Sequence, residues 1–297
     1  MADYLSIDIG GTFIKYALLN EQKQLHGHQK IATKENNDHD ILEQVESIIF
    51  SVSKHTDIRG VGISTAGIVD REKGEIIYAG PTIKNYKGTA FKAHVSRRFH
   101  LPIHVENDVN AALIGELWQG AAQKENDVFC ITLGTGIGGA YYHNKIMDGA
   151  HHQAHSVGYL LYDPITQTNF ESRASTSALN RLIEREIGKG ISTKEVFDKA
   201  KLGENQYISI IEAWSEEVAK GLAQIILMVD PTCILIGGGI SRQGTYLLDH
   251  IQKQLPHFLP KGFLKTELKI AQLYNDASLY GAVYPFFKGE TVHVTGS

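Results

Sequence analysis

The chain opens on an alternation. Tyr4-Leu5-Ser6-Ile7-Asp8-Ile9 places apolar side chains at every second position, the period of a strand with one buried face. Gly10-Gly11-Thr12 interrupts it, and Phe13 to Leu19 reads as a strand returning from a tight turn. A third strand is predicted around His28 to Thr33. Ile41, Val45, Ile48, Ile49 and Val52 then recur at helical spacing and mark one face of a helix. Arg59 to Ser64 and Pro102 to Glu106 read as strands, with a helix over Ala90 to His100 between them. Val109 to Trp118 continues as a helix directly after Asn107-Asp108.

A second block repeats the theme. Val128 to Leu133 is an apolar strand, Gly134 to Gly139 a turn, and Ala140 to Ile146 a returning strand. Helices are predicted over Ser175 to Glu186, Lys194 to Lys199 and Ile208 to Met228. The buried strand Cys233 to Ile236 ends in Gly237-Gly238-Gly239. A helix near Thr245 to Gln254, a strand over Leu268 to Leu273 and a helix from Ala277 to Phe287 complete the reading. Two strand–glycine turn–strand units a domain apart predict two related α/β halves. The expected division is 1–116 and 117–276, with a hinge near Leu117 to Gly120 and a last helix, about 277–290, returning to the first half.

Composition narrows the class. The 297 residues are 42% hydrophobic and 21% charged, which suits a globular protein of one large or two medium domains with a substantial core. A net charge of −4 and a pI near 6.4 offer no electrostatic footprint for a nucleic-acid partner. Cys130 and Cys233 sit inside apolar runs and read as buried free thiols, in keeping with a reducing compartment. Nothing at Met1-Ala2-Asp3-Tyr4 resembles a signal peptide, and no apolar run approaches the ~20 residues of a membrane helix. The expectation is a cytoplasmic protein with no membrane partner.

Three glycine turns and one strand-end carboxylate carry the candidate chemistry. Asp8-Ile9-Gly10-Gly11-Thr12 puts a carboxylate at a strand end, before residues that can expose backbone N–H groups. Glycine there permits positive φ and removes the side chain that would block a phosphate. Such a turn can form an anion nest, and Asp8 can hold the waters of a phosphate-bound Mg²⁺. Gly134-Thr135-Gly136-Ile137-Gly138-Gly139 contains a literal G-x-G-x-x-G. A dinucleotide fingerprint would have to open a helix, whereas Ala140-Tyr141-Tyr142-His143 continues as a strand. A phosphate-embracing hairpin is the better reading, with Thr132 and Thr135 as hydroxyl donors. Gly237-Gly238-Gly239 leaves bare backbone for a flat ring such as adenine, and Ser241 suits a helix N-cap. No P-loop sequence occurs. Asp108 lies where a strand ends and a helix begins, a position that suits either a helix cap or a residue facing a cleft.

In this order, Asp8 to Thr12, Ser64 to Asp70, Glu106 to Ala112, Leu133 to Gly139 and Ile236 to Ser241 resemble the ROK family of repressors, open reading frames and kinases. The resemblance spans essentially the whole chain. It implies two ribonuclease-H-like α/β domains of the actin/Hsp70/sugar kinase superfamily, with an interdomain cleft closing on ATP and a sugar. The implied activity is ATP-dependent phosphorylation of a hexose 6-hydroxyl. By the same resemblance Asp108 is the general base, Asn107 and Asp108 grip neighbouring hydroxyls, Gly67 lines the sugar floor and Glu171 holds the anomeric end. Asp8, Gly10, Gly11, Thr12 and the turn with Gly134, Thr135, Gly136 and Gly138 serve phosphate and metal. Gly237, Gly238 and Gly239 lie by the adenosine.

The chain also departs from the family pattern. No cysteine lies between Cys130 and Cys233, and Tyr159 replaces the histidine of the family's structural zinc site, so no zinc is expected. His151, His152 and His155 lack carboxylate or thiolate companions nearby and read as loop histidines. Ser156 stands where the family places a second sugar-binding glutamate, which leaves room at the C1–C2 edge of the sugar. Zinc-less relatives include β-glucoside kinases and bacterial N-acetylmannosamine kinases. Tyr78 to Thr82 and Val157 to Leu161 look like both groups, and Asn169 to Ala174 looks particularly like the second. The opened anomeric side favours β-glucosides such as cellobiose. A repressor would carry a winged helix-turn-helix domain before the first strand, where only Met1 to Asp3 stand; the other non-enzyme alternative is a sugar-sensing regulator without activity, since Ser156 weakens the usual sugar shell. Relatives suggest a homodimer through exposed helices of the second half.

Overall fold

In the computed structural model, which describes residues 3–37, 39–80 and 83–288, the opening alternation becomes β1 (Asp3–Ile9), paired antiparallel with β2 (Phe13–Leu19). β3 (Leu25–Ala32) extends the hairpin, and α1 (Asp40–Ser53) follows. β4 (Ile58–Thr65) pairs parallel with β1. A small hairpin, β5 (Ile68–Asp70) and β6 (Glu75–Tyr78), leads to α2 (Phe91–Phe99); the sequence pattern had not indicated it, because three or four residues carry no readable period. β7 (Ile103–Asn107) pairs parallel with β4, and α3 (Asp108–Gln119) leaves its end without a loop. The resulting sheet runs β3-β2-β1-β4-β7.

The second block starts with β8 (Asp127–Leu133) and β9 (Ile137–His143), again an antiparallel hairpin. Helices α4 (Phe170–Ala174), α5 (Thr176–Glu186), α6 (Thr193–Lys201) and α7 (Asn205–Val229) precede β10 (Cys233–Gly237). α8 (Thr245–Gln254) and β11 (Glu267–Ile270) follow, and β10 pairs parallel with both β8 and β11. This sheet runs β11-β10-β8-β9, so each half is a hairpin whose first strand continues into two parallel strands. α9 (Ala277–Phe287) closes the described chain. Two sequence expectations are corrected here. The strand after the second glycine turn begins at Ile137 rather than Ala140, because Gly138 and Gly139 pair within it. Ser241 is no helix N-cap: it lies in a 3₁₀ turn (Gly239–Gln243), and Gly244 precedes α8.

The chain divides into two compact units, one of residues 1–123, 149–153 and 275–297, the other of residues 124–148 and 154–274. Leu117 to Gln119 are the last turn of α3, so the expected hinge segment lies inside the first unit. The expected helix about 277–290 is α9; Pro81, Thr82 and residues 289–297 lie outside the described residues.

Each unit has its own core. In the first, Leu5, Ile7 and Ile9 of β1 pack with Ile41, Val45 and Ile49 of α1 and with Phe91 and Val95 of α2. The alternate side chains face α9, where the Ser6 hydroxyl donates to the Leu279 carbonyl at 2.7 Å. Gly62 of β4 is bare because α9 lies directly on it: a Cβ there would stand 2.3 Å from the Ala282 carbonyl oxygen. α9 also meets α3 through Gly115 and Gly281, whose Cβ atoms would come within 2.0 and 1.8 Å of facing carbonyl oxygens. In the second unit α7 forms the spine. Its Trp214, buried, donates its indole N–H to the carbonyls of Ala174 and Ser175, and Phe170 rests on Gly221. Those contacts fix α4 and the start of α5 on α7.

Candidate active site

Parallel pairing sets the residues of the first unit in rows. Asp8, Ser64 and Glu106 are neighbours across β1, β4 and β7, and Ile9, Thr65 and Asn107 form the next row at the strand ends. Asp8 therefore has company that the sequence did not assign. The Ser64 hydroxyl donates to its Oδ1 at 2.9 Å, and Lys15 Nζ stands 3.4 Å from Oδ2.

Asn107 is the N-cap of α3. Its Oδ1 accepts the N–H groups of Val109 and Asn110 at 2.9 and 3.1 Å. Its Nδ2 donates to the Gly67 carbonyl at 2.8 Å and to Asp108 Oδ1 at 2.9 Å. An amide has two donor hydrogens and two acceptor lone pairs, so Asn107 is fully spent. It serves here as cap and holder of Asp108, and a sugar hydroxyl could bond to it only by exchange. Gly67 adopts φ +104°, and a Cβ would stand 2.7 Å from the Tyr78 oxygen, so no other residue presents that carbonyl as cheaply.

Asp108 Oδ1 also accepts the Val109 N–H at 3.0 Å, while Oδ2 makes no hydrogen bond among the described residues. Burial, with repulsion from Asp8, pushes the Asp108 carboxyl up to about 7 despite those donors. The arrangement leaves one oxygen of a basic, ordered carboxylate open. Behind it, buried Glu106 accepts the Asn107 N–H at 2.9 Å and the Asn110 amide at 3.1 Å, and pairs with Arg71 Nη1 at 3.4 Å. Burial raises the Glu106 carboxyl. The sequence did not single out Ser64, Glu106 and Arg71, because strand register brings Ser64 and Glu106 beside Asp8, and Arg71 reaches Glu106 from the turn between β5 and β6.

The first glycine turn is closed by the Gly10 N–H donating to the Phe13 carbonyl at 3.0 Å, and Thr33 Oγ1 donates to the Gly10 carbonyl at 2.7 Å. The N–H groups of Gly11 and Thr12 are unspent among the described residues. None of Gly10, Gly134, Gly136 and Gly139 has positive φ. Glycine is used at these turns for room, not for left-handed backbone: a Cβ on Gly10 would lie 3.2 Å from the Phe13 oxygen, and one on Gly139 2.6 Å from the His155 oxygen.

In the second unit register unites the other two glycine motifs. Thr132 pairs with Gly138 on one side and Gly237 on the other. Gly238, at φ +89°, passes so close to Leu133 that a Cβ would stand 2.5 Å from its carbonyl oxygen. A cleft of about 650 Å³ opens there, lined among others by Gly134, Thr135, Thr176, Asn180, Gly239 and Arg242. Glu171, in the first turn of α4, reaches back to the same turn, where its Oε2 accepts the Ile137 N–H at 2.8 Å. Ser156 is exposed and directly precedes a 3₁₀ turn (Val157–Tyr159). Among the described residues no three or more His, Cys, Asp or Glu side chains converge as a metal site, and no helix is long and apolar enough to cross a membrane.

The comparisons with known proteins agree on one family. The ROK family profile matches residues 4–288. A β-glucoside kinase of Klebsiella pneumoniae is 28% identical, with 95% of each chain covered. The ROK family glucokinase of Streptomyces griseus, solved with glucose and AMPPNP, superposes with a TM-score of 0.81 at 30% identity, over 97% of this chain and 100% of that one. A Listeria monocytogenes protein provisionally assigned as an N-acetylmannosamine kinase gives 0.85 at 26% identity, over 97% and 100%. The fold is that of the ROK sugar kinases, and the chain belongs to the ROK family.

Proposed function

We propose that this chain is an ATP-dependent carbohydrate kinase that phosphorylates the 6-hydroxyl of a hexose unit, with Asp108 as general base. The observation that carries the reading is the Asp108 carboxylate: held by Asn107 through one oxygen, open at the other, and raised toward neutral pH. A base of this kind accepts the hydroxyl proton at Oδ2 as the sugar oxygen attacks the γ-phosphorus and ADP departs. The glycine turns at Gly10 to Thr12 and Gly134 to Gly136 suit phosphate oxygens, since each leaves backbone N–H groups unspent. The cleft by Gly239 suits the nucleoside. Asp8 offers hard oxygen and would hold Mg²⁺ through water, and that ion would supply charge neutralisation at the phosphates. The likeness to a glucokinase that binds glucose and an ATP analogue supports the same assignment.

For the sugar, β-glucosides such as cellobiose are the first choice. Exposed Ser156 puts a short hydroxyl where relatives of this pattern carry a glutamate, and a β-glucoside needs room there for its aglycone. N-acetylmannosamine is the second, favoured by Asn169 to Ala174 and by the Listeria structure. Glu171 would contact the anomeric end in either case. The test is ATP consumption by the purified protein with cellobiose, other β-glucosides, glucose and N-acetylmannosamine. The highest kcat/KM is expected on a β-glucoside. A preference for N-acetylmannosamine or glucose replaces the substrate, and no turnover on any sugar makes the protein a sensor rather than a kinase.

A further inference from the structure

The second glycine turn is held from outside the hairpin by one short segment. The Thr176 N–H donates to the Gly134 carbonyl at 2.9 Å, Thr176 Oγ1 donates to the Leu133 carbonyl at 3.0 Å, and the Ile137 N–H donates to Glu171 Oε2 at 2.8 Å. The carboxylate fits closely against Gly136, and Gly158 lies against both it and the Ile137 carbonyl, 2.8 Å from where a Gly158 Cβ would stand. A Cβ on Gly136 would stand 2.4 Å from Glu171 Oε2, and one on Gly158 3.2 Å from the same atom. Glu171 is itself immobilised, because Asn169 and Ser172 form a reciprocal cap at the start of α4 and Phe170 is buried against Gly221.

Gly134 N–H closes the turn on the Gly136 carbonyl at 3.0 Å, and Ile137 N–H is taken by Glu171. The N–H groups of Thr135 and Gly136 remain for an anion. Glu171 Oε1 makes no hydrogen bond among the described residues. One carboxylate thus spends one oxygen on the turn and keeps the other for a ligand.

We propose that Glu171 is a positioning residue for the nucleotide: its Oε2 sets the shape of the Gly134–Gly136 turn, so that one side chain serves both the phosphate turn and, through Oε1, the sugar. This rests on the kinase reading above. Two effects oppose each other in it. The carboxylate orders the N–H groups that meet phosphate, and its negative charge repels that phosphate. A hydrogen bond to a charged group is worth about 1.5–3 kcal/mol, or roughly tenfold or more in affinity, so ordering should win.

The experiment measures the affinity of the sugar-free protein for Mg²⁺–AMPPNP by calorimetry. Glu171→Ala should weaken it about tenfold. Glu171→Gln keeps an oxygen for the Ile137 N–H and removes the charge, so its affinity should equal or exceed that of the unmodified protein, while its sugar KM rises about tenfold. Gly136→Ala, whose methyl meets Oε2, should also weaken the nucleotide and carries the test if Glu171→Ala does not fold. Unchanged or tighter binding in Glu171→Ala, or in Gly136→Ala alone where the first variant is unfolded, overturns the proposal. Equal losses in Glu171→Ala and Glu171→Gln overturn it too, since glutamine still offers an oxygen to the Ile137 N–H and its loss could not come from a missing turn contact. Failure of the unmodified protein to bind Mg²⁺–AMPPNP removes this inference together with the kinase reading; normal binding with indifferent variants removes this inference alone.

Discussion

At Asp108 the protein keeps a carboxylate that it would fold better without. Its carboxyl is raised from 3.8 to about 7, first by burial and then by Asp8. Between those two values the folded chain binds the proton more tightly than the unfolded chain, so stability falls as pH climbs from about 4 to 7 and stays reduced above. Asp108→Asn retains an oxygen for Val109 N–H and Asn107 Nδ2 and has nothing to ionise. It should be more stable than the unmodified protein at pH 8, with the gap closing by about pH 4 as the native carboxyl takes up its proton. Thermal melts of the two proteins across that range give the answer, and parallel curves would reassign the raised carboxyl. The same variant should lose at least ~10² in kcat with nucleotide affinity little altered. In turnover, rate should fall as pH is lowered and the base is protonated. Mg²⁺ held by Asp8, as proposed above, would offset the like charge, and that limb should then lie below the pH at which stability bends.

At the scale of elements, the orientation of α3 decides where Asp108 points, and α9 fixes α3. Alanine is the better helix former by about 1 kcal/mol, yet Gly115 and Gly281 sit where a methyl would collide with backbone carbonyls. Backbone cannot step aside as a flexible side chain can, so overpacking should outweigh propensity. Gly115→Ala and Gly281→Ala are expected to lose about 1–3 kcal/mol in denaturant unfolding, and kcat should drop with them. A neutral or stabilising result at either site would show that the helices part without cost. This close approach was invisible in the sequence. Gly115 and Gly281 each read as an isolated helical glycine, and nothing in either helix names the other as its partner.

For the whole molecule, two units with separate cores make separate ligand responses measurable. Mg²⁺–AMPPNP alone should slow amide exchange in the second unit around Thr135, Gly136 and Gly237 to Gly239, and hexose should slow it around Gly67 and Asn107 to Val109 in the first. Protection of the first unit's Asn107 to Val109 by nucleotide alone, with none at Gly237 to Gly239, would reverse the assignment. Local patterning was enough to write down most of the elements. Alternation in Tyr4 to Ile9 and helical spacing from Ile41 to Val52 are set by side chains that are near in sequence, and glycine runs mark turns by what they lack. The short hairpin β5–β6, the true start of β9 and the place of Ser241 were not legible, since each depends on pairing or packing with distant chain. So do the chemical assignments. The chain order alone supplied a carboxylate after a strand and three bare turns. The parallel register of β1, β4 and β7 put Asp8, Ser64 and Glu106 in one row, and the register of β8, β9 and β10 laid Gly138, Thr132 and Gly237 side by side. Burial then raised two carboxyls, those of Asp108 and Glu106, among several of the same type. Such quantities are properties of neighbours in space, and no residue carries them before the strands have met.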